Sequence, residues 1–121
     1  GDNGELTTVA YTLGVAHPPG YPLWTVLAAA TIKLLDCTSW DVAYRVNLLS
    51  AVLGGLSSTL VFCALEVWFC LPRSDELPKR ATSVYFALLG TLLFSFDMRI
   101  WHCSTHGEVF ALNNAVCAWI L

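Results

Sequence analysis

The chain has 121 residues, of which 56% are apolar and only 12% charged, and its net charge is −3. Soluble domains carry about a quarter charged residues, and a small protein has a large surface to wet for its volume. Much of this surface is therefore expected to contact lipid or other protein. With six basic against nine acidic residues, the sequence shows no basic patch, so we exclude nucleic acid as a partner.

The ends of the chain indicate a piece of a longer protein. The sequence opens in a polar motif without an initiator Met and stops inside an apolar run at 119–121. We therefore expect it to be part of a larger multi-pass membrane protein. The five cysteines are odd in number and lack a C-x-x-C pair, so they do not indicate a disulfide framework.

The first 22 residues form the most polar segment that precedes a long apolar sequence. Two acids, Asp2 and Glu5, lie in a glycine-punctuated stretch that we interpret as a turn. The following residues, 6–16, place apolar side chains at spacings of three and four, which indicates a helix. Eleven residues rise only about 16 Å, short of the roughly 30 Å bilayer core. This segment is predicted to be an interfacial helix or a buried soluble one.

A proline-rich break separates this helix from the next. Residues 17–22 contain three prolines, which lack N–H donors and fix φ, so regular helix is excluded there. Pro22 can instead open a short apolar helix at 23–35. Its length is marginal for crossing a bilayer, so it is predicted to be either re-entrant or spanning.

Three later apolar segments are predicted to be transmembrane helices, at 46–71, 81–96 and 109–121. The first is the longest and contains one charge, Glu66; it also carries Gly54 and Gly55 among serines, a small-residue face suited to close helix packing. The fold class predicted from the sequence is therefore all-α, with polytopic membrane helices and an amphipathic interfacial helix in the first outer loop.

Topology follows from the charged run at 72–80, the only such run in the chain. The positive-inside rule assigns it to the cytoplasmic side, which puts the ends of the 46–96 hairpin outside. If 23–35 does not cross the membrane, the acid segment at 1–22 and a second polar cluster at 97–108 lie on the same outer face. If it does cross, they lie on opposite faces. We favour the same-side arrangement, because it unites two polar clusters that are otherwise unpaired.

Two sequence motifs resemble a known family. The stretch D-N-G-E-L…A-Y-T-L-G-V-A-H-P-P-G-Y-P-L resembles the opening motif of the transmembrane protein 260 family, and G-E-V-F-A-L-N-N at 107–114 resembles its second motif, E-V-[YF]-x-L-N. The resemblance covers essentially the whole chain. It implies the N-terminal part of a GT-C-like transmembrane catalytic domain across 1–121.

The resemblance also implies a function. The eukaryotic members are protein O-mannosyltransferases of the secretory pathway that use a dolichyl-phosphate sugar, which implies a site facing the lumen of the endoplasmic reticulum and an acceptor secretory protein. Asp2 or Glu5 would be the catalytic acid that acts as base toward the acceptor hydroxyl. Residues 17–22 would shape the donor cleft, with Glu108 joining from the second lumenal loop; the cleft residues are His17, Pro18, Pro19 and Tyr21.

Transfer from a lipid phosphate to Ser or Thr requires a base, donors for the leaving phosphate and a route for the lipid tail. General-base assistance is worth roughly 10²–10⁴-fold. Arg99, His102 and His106 can donate to the phosphate, and the apolar helices can provide the lipid groove. Inversion at the sugar is expected by analogy with the fold only.

Metal use stays open at this point. His102 and His106 have a helical i, i+4 spacing, but only the single thiol of Cys103 accompanies them, so we assign no metal ligands. A divalent ion on the carboxylates of Asp2, Glu5 or Glu108 is compatible with the resemblance, because some GT-C enzymes use one and others do not.

Simpler interpretations stand beside these. An acid in a glycine-flanked turn is commonly a solvated cap, His17 can cap the preceding helix, Glu108 can serve a helix dipole, and Arg45 is expected to be an interface anchor or a phosphate contact. A non-enzymatic transporter is one rival, although Glu66 is the only acid within a span and has no partner charge there. A structural membrane subunit is the other, and it predicts that both N-terminal acids tolerate amides.

Overall fold

The computed structural model describes residues 2–70 and 77–120, with the side chains of 2–69 and 81–120. The described residues form helices and connecting turns, without a strand. This confirms the all-α class. The helices in chain order are α1 (Asn3–Thr12), α2 (Pro22–Leu34), α3 (Val42–Cys70), α4 (Leu77–Ser95), α5 (Met98–Thr105) and α6 (Phe110–Ile120).

Helix α1 begins earlier than its apolar periodicity predicts. It starts at Asn3, so Glu5 lies in the first turn of the helix and not in a turn before it. In the first turn the positive end of the helix dipole favours a carboxylate. It also ends earlier, because Leu13 adopts a left-handed backbone (φ 54°) and the Gly14 N–H donates to the Val9 carbonyl at 3.0 Å. The predicted bounds of 6–16 were therefore shifted by three to four residues.

Helix α2 packs beside α1 through a small apolar core. Pro22 lies at its start, as the sequence predicted, where a missing N–H has no cost. Trp24, Ala28 and Ile32 are buried against Leu6 of α1. Thirteen residues rise about 20 Å, which is shorter than a bilayer core.

Arg45 joins α2 to α3. Its buried guanidinium donates to the carbonyls of Ile32, Thr38 and Trp40 at 3.0–3.1 Å and pairs with the Asp36 carboxylate at 3.0 Å. Carbonyls at a helix C-terminus lack intrahelical partners, and a cation there is favourable. The structure thus gives Arg45 a capping role at the C-terminus of α2, in which its guanidinium is occupied by protein acceptors.

Helix α3 is the axis on which α4, α5 and α6 pack. Val42–Phe69 is long and apolar enough to cross a membrane, and only 17% of its most apolar window is buried inside the molecule. Such exposure is expected of a helix that faces lipid. Helices α4 and α5 bend by 65° at a short break, and they would form a second candidate span if they crossed together.

Small side chains bring the helices close together, as the glycine and serine face of α3 predicts. Gly54 of α3 faces the side chain of Ser104 on α5 so closely that a Cβ at position 54 would clash with it. Ser95 of α4 donates to the Ser58 hydroxyl of α3 at 2.8 Å.

The later helix bounds differ from those predicted. The segments predicted at 46–71, 81–96 and 109–121 correspond to α3, α4 and α6, while the polar cluster at 97–108 contains a helix of its own, α5, whose N-terminus is capped by Asp97. Polar residues obscure the ends of an apolar pattern, which explains the shifts. The charged run at 72–80, on which the cytoplasmic assignment depends, lies outside the residues whose side chains are described.

Candidate active site

The two N-terminal acids lie on either side of one histidine. The Glu5 Oε1 atom accepts the backbone N–H of His17 at 2.9 Å and lies 3.1 Å from His17 Nδ1. The other ring nitrogen, Nε2, is 4.0 Å from Asp2 Oδ2. The three residues therefore form one polar cluster at the start of α1, which we call the acid cluster.

The chain reaches this geometry by doubling back along α1. Glu5 to Leu13 rises about 12 Å along the helix, and the segment Gly14 to His17 can cover a similar distance when extended. The left-handed backbone of Leu13 reverses the chain, so His17 lies beside the first turn of α1. It is not at the end of that helix, so it does not cap it.

A tight turn then leads into α2. The Gly20 N–H donates to the His17 carbonyl at 2.8 Å, and Gly20 has φ 90°, a conformation that favours glycine. Pro18 and Pro19 form the exposed part of this turn. Tyr21, also left-handed at φ 42°, places its ring edge-on to the His17 imidazole at 5.6 Å between centroids.

The two acids differ in their electrostatic environment. The hydrogen bond from the His17 backbone N–H lowers the pKa of Glu5, and the bond from the His17 side chain lowers it further. A carboxylate of lower pKa is a weaker base. Asp2 is the more exposed acid, with 66% of its side chain accessible against 46% for Glu5. Asp2 is therefore the carboxylate whose oxygens are freer to meet a substrate.

A close contact connects the acid cluster to the second polar cluster. A Cβ on Gly107 would lie 2.6 Å from Asn3 Oδ1 and 2.7 Å from Val46 Cγ1, so only glycine fits between α1 and α3 here. Asn3 Nδ2 also lies 3.5 Å from Asn47 Oδ1. The turn at 106–108, which carries Glu108, is thereby held against the start of α1, as a same-side arrangement of the two clusters requires.

A mostly apolar groove of about 500 Å³ lies between the start of α2 and α6. Tyr21 and Trp24 form one wall, while Val109, Leu112 and Val116 belong to the other. The groove begins at the residue that contacts His17, so it starts next to the acid cluster. Its mostly apolar lining suits a hydrocarbon group.

A second cavity of about 580 Å³ lies between α5 and α6. Arg99, His102 and Asn114 contribute polar groups to it, and Phe110 borders both this cavity and the apolar groove. The ring of His106 stacks on His102 with 4.1 Å between centroids, and His106 Nδ1 lies 3.0 Å from the His102 carbonyl oxygen. The His102 ring is thus supported from one side.

The structure brings some of the predicted site residues together and leaves others apart. It gathers Asp2, Glu5, His17 and Tyr21, while Glu108 follows Gly107, which contacts Asn3 at the start of α1. Within the described residues, Arg99, His102 and His106 form no hydrogen bond or ion pair with the two acids. The sequence analysis did not identify four residues that contribute to the site or its surroundings. Asn3 and Gly107 lie inside the quoted motifs and could have been identified there, whereas Asn47 and Trp24 lie outside them.

The acid cluster offers little to a metal ion as it stands. His17 directs a backbone N–H and a ring nitrogen at one oxygen of Glu5, and that oxygen faces hydrogen-bond donors where a cation would need a lone pair. Among the described residues, no group of three or more His, Cys, Asp or Glu side chains has an arrangement that could hold a metal.

Comparisons with known proteins agree with one another. A family model described as Protein O-mannosyl-transferase TMEM260 N-terminal domain matches residues 2–121. The mouse (Mus musculus) protein named Protein O-mannosyl-transferase TMEM260 is 45% identical over 114 residues, which are 94% of this chain and 14% of the mouse protein. The Dictyostelium discoideum protein of the same name is 31% identical over 121 residues, 100% of this chain and 13% of that protein. No solved structure matches the chain significantly.

Proposed function

This chain belongs to the protein O-mannosyl-transferase TMEM260 family, and from that premise we propose that it carries the acid end of a membrane glycosyltransferase site. The chain spans only 14% of the mouse relative, so the remainder of such a site comes from other segments. The observation that carries the proposal is the acid cluster: two carboxylates beside a histidine, at the start of an apolar groove.

The proposed reaction moves a mannosyl group from a polyprenyl (dolichyl) phosphate to a Ser or Thr hydroxyl of a secretory protein. The acceptor oxygen forms a bond to the anomeric carbon while the bond from that carbon to the phosphate oxygen breaks. The hydroxyl proton passes to a carboxylate, and the lipid phosphate leaves with the electron pair. An in-line displacement of this kind inverts the anomeric centre.

Asp2 is proposed as the base. Its carboxylate is the more exposed of the two, and its nearest ring nitrogen on His17 is 4.0 Å away. Glu5, by contrast, accepts two donors on one oxygen and has a lowered pKa. A base needs a lone pair that is within reach of the hydroxyl, and Asp2 satisfies that condition better.

The donor is proposed to lie along α6. The apolar groove suits the hydrocarbon tail, and Arg99 and His102 in the neighbouring cavity suit an anionic phosphate. Phe110 borders both cavities, so a molecule with an apolar tail and an anionic head could bridge them. This arrangement supports a site at the membrane surface, which we place on the lumenal side of the endoplasmic reticulum.

The test compares Asp2→Asn with Glu5→Gln in the full-length protein reconstituted in lipid, supplied with dolichyl-phosphate mannose and secretory acceptor domains. Asp2→Asn is expected to lower transfer about 10²-fold or more, because it removes the base. Glu5→Gln is expected to cost less, since its amide oxygen still accepts the His17 N–H. The matched control is Thr8→Ser, on the exposed face of α1, which keeps the hydroxyl bond to the Gly4 carbonyl.

Three outcomes decide the proposal. Loss in Asp2→Asn with folding intact supports it. Equal transfer by both amide variants and the control removes the acids from the chemistry, as a structural subunit predicts. Absence of transfer by the unaltered protein, with mannose and with glucose donors, overturns the glycosyltransferase assignment itself.

A further inference from the structure

Resting on the proposed function, we infer that His17 is the positioning residue of this site: it fixes Glu5 in one orientation, keeps the two acids apart and joins them to Tyr21 at the start of the apolar groove. The acids would then have unequal roles, with Asp2 free to act and Glu5 held.

The first observation is the convergence of two donors on one oxygen. The backbone N–H of His17 and its Nδ1 atom lie 2.9 Å and 3.1 Å from Glu5 Oε1. An ionised carboxylate only accepts hydrogen bonds, so Nδ1 carries the proton in this contact. In this orientation of the ring, the other nitrogen, Nε2, lies 4.0 Å from Asp2 Oδ2.

The second observation is that the imidazole is itself held. The Tyr21 ring meets it edge-on at 5.6 Å, and the His17 carbonyl accepts the Gly20 N–H in the turn that follows. The ring thus lies between the acids and the groove. Tyr21 lines the groove and also contacts His17. A ligand in the groove would therefore contact the residue that holds the imidazole.

The consequence concerns the two carboxylates. Glu5 and Asp2 both face the imidazole, and without it Glu5 would keep only the bond from the His17 backbone N–H, which leaves its carboxylate freer to turn toward Asp2. Two carboxylates that approach each other raise the pKa of one of them. The other ionisable groups around the cluster are Tyr21 in the turn before α2, and His106 and Glu108 in the segment next to Gly107; Asn47, from α3, is uncharged.

Three substitutions of His17 distinguish the roles of its two ring nitrogens. Asparagine places its amide nitrogen at the position of Nδ1, and glutamine places its own at the position of Nε2, while alanine removes both. All three keep the backbone N–H that binds Glu5. In the full-length protein in lipid, the readouts are kcat, the KM for the donor and the pH profile of kcat/KM.

His17→Ala is expected to lower kcat between tenfold and a hundredfold, the cost of a misplaced reacting group, with the donor KM changed by less than about threefold. The acidic limb of its pH profile is expected to move to higher pH. His17→Asn is expected to recover most of kcat and return the limb toward its original position, whereas His17→Gln is not.

The opposite results overturn the inference. Equal activity of the asparagine and glutamine variants would remove the Nδ1 contact from the mechanism, and an unchanged kcat in His17→Ala would remove the side chain altogether. Hydrogen exchange over residues 3–12 gives a readout that needs no catalysis: His17→Ala is expected to increase exchange there, and no increase refutes the positioning role. Failure of the proposed function is a distinct result, namely no transfer by the unaltered protein.

Discussion

A single oxygen atom, Glu5 Oε1, receives both the backbone N–H and the ring nitrogen of His17. The pair is about half exposed, and exposed ion pairs contribute little to stability. The contact therefore acts mainly by orienting the side chains: it determines where the Glu5 carboxylate points and which ring nitrogen faces Asp2.

This contact is expected to depend on pH. The His17 backbone N–H lowers the pKa of Glu5 below its usual 4.5, so the contact is fully present above that value and is lost as the pH falls through the lowered pKa. Hydrogen-exchange protection of the His17 amide, corrected for the intrinsic rate, is expected to be constant from pH 7 to pH 5 and to fall only at lower pH.

The control for this measurement is Glu5→Gln, whose side chain accepts the same N–H without titrating. Its protection is expected to lack the acidic decline. A decline already complete at pH 6, or the same decline in the glutamine variant, would contradict the assignment to Glu5.

The sequence predicted these residues but not their partners. The acids and His17 stand in a recognisable motif, yet the contact between residues 5 and 17 requires Leu13 to adopt a left-handed backbone. Leucine gives no signal for that conformation, which is uncommon outside glycine and asparagine. The Asn3–Gly107 contact was equally hidden, because it joins residues that are far apart in the chain.

Among the helices, apolar periodicity located all the long elements and misplaced their ends. α1 begins at Asn3 because polar residues suit a helix N-terminus, and an apolar stripe cannot report them. α5 escaped prediction as a helix because it is only eight residues long and half of them are polar, although the Asp97 side chain accepts the N–H groups of Arg99 and Ile100. At α5 the capping residue thus marked a helix start that the apolar pattern did not show.

Two adjacent glycines in α3 provide a matched test of helix packing. A Cβ at Gly54 would clash with Ser104 of α5, whereas a Cβ at Gly55 would meet nothing within 4 Å. Gly54→Ala is expected to destabilise the protein by about 1–3 kcal/mol, the usual cost of overpacking. Gly55→Ala is expected to be neutral or stabilising by up to about 1 kcal/mol, since alanine favours a helix.

Thermal unfolding of both variants in the same detergent or lipid measures the difference. The α3–α5 contact would be refuted if Gly54→Ala matched Gly55→Ala. Adding Ser104→Gly to Gly54→Ala removes the clashing side chain, and is expected to recover part of the lost stability.

At the scale of the molecule, the described chain divides into a long helix that suits a membrane interior and a polar end that carries α1 and the turn at 106–108. α3 is long enough to span a bilayer and is mostly exposed. α2 is too short to span it without adjustment. Residues 1–22 and the α2–α3 connection are therefore expected on one side of the membrane.

Cys37, exposed in that connection, reports the side directly. A protein with Cys37 as its only cysteine is compared with one whose only cysteine comes from Thr12→Cys, at the end of α1. With a membrane-impermeant maleimide on sealed vesicles, both are expected to be labelled, or both protected until the membrane is opened. Labelling of one but not the other would show that α2 crosses the membrane.

The fit of Gly107 against Asn3 has a consequence for biogenesis. Synthesis proceeds from the N-terminus, so the acid cluster leaves the ribosome roughly a hundred residues before the glycine that completes its support. Contacts between such distant residues form late in folding. The start of α1 thus acquires this contact only after the helices α3 to α5 have been synthesised.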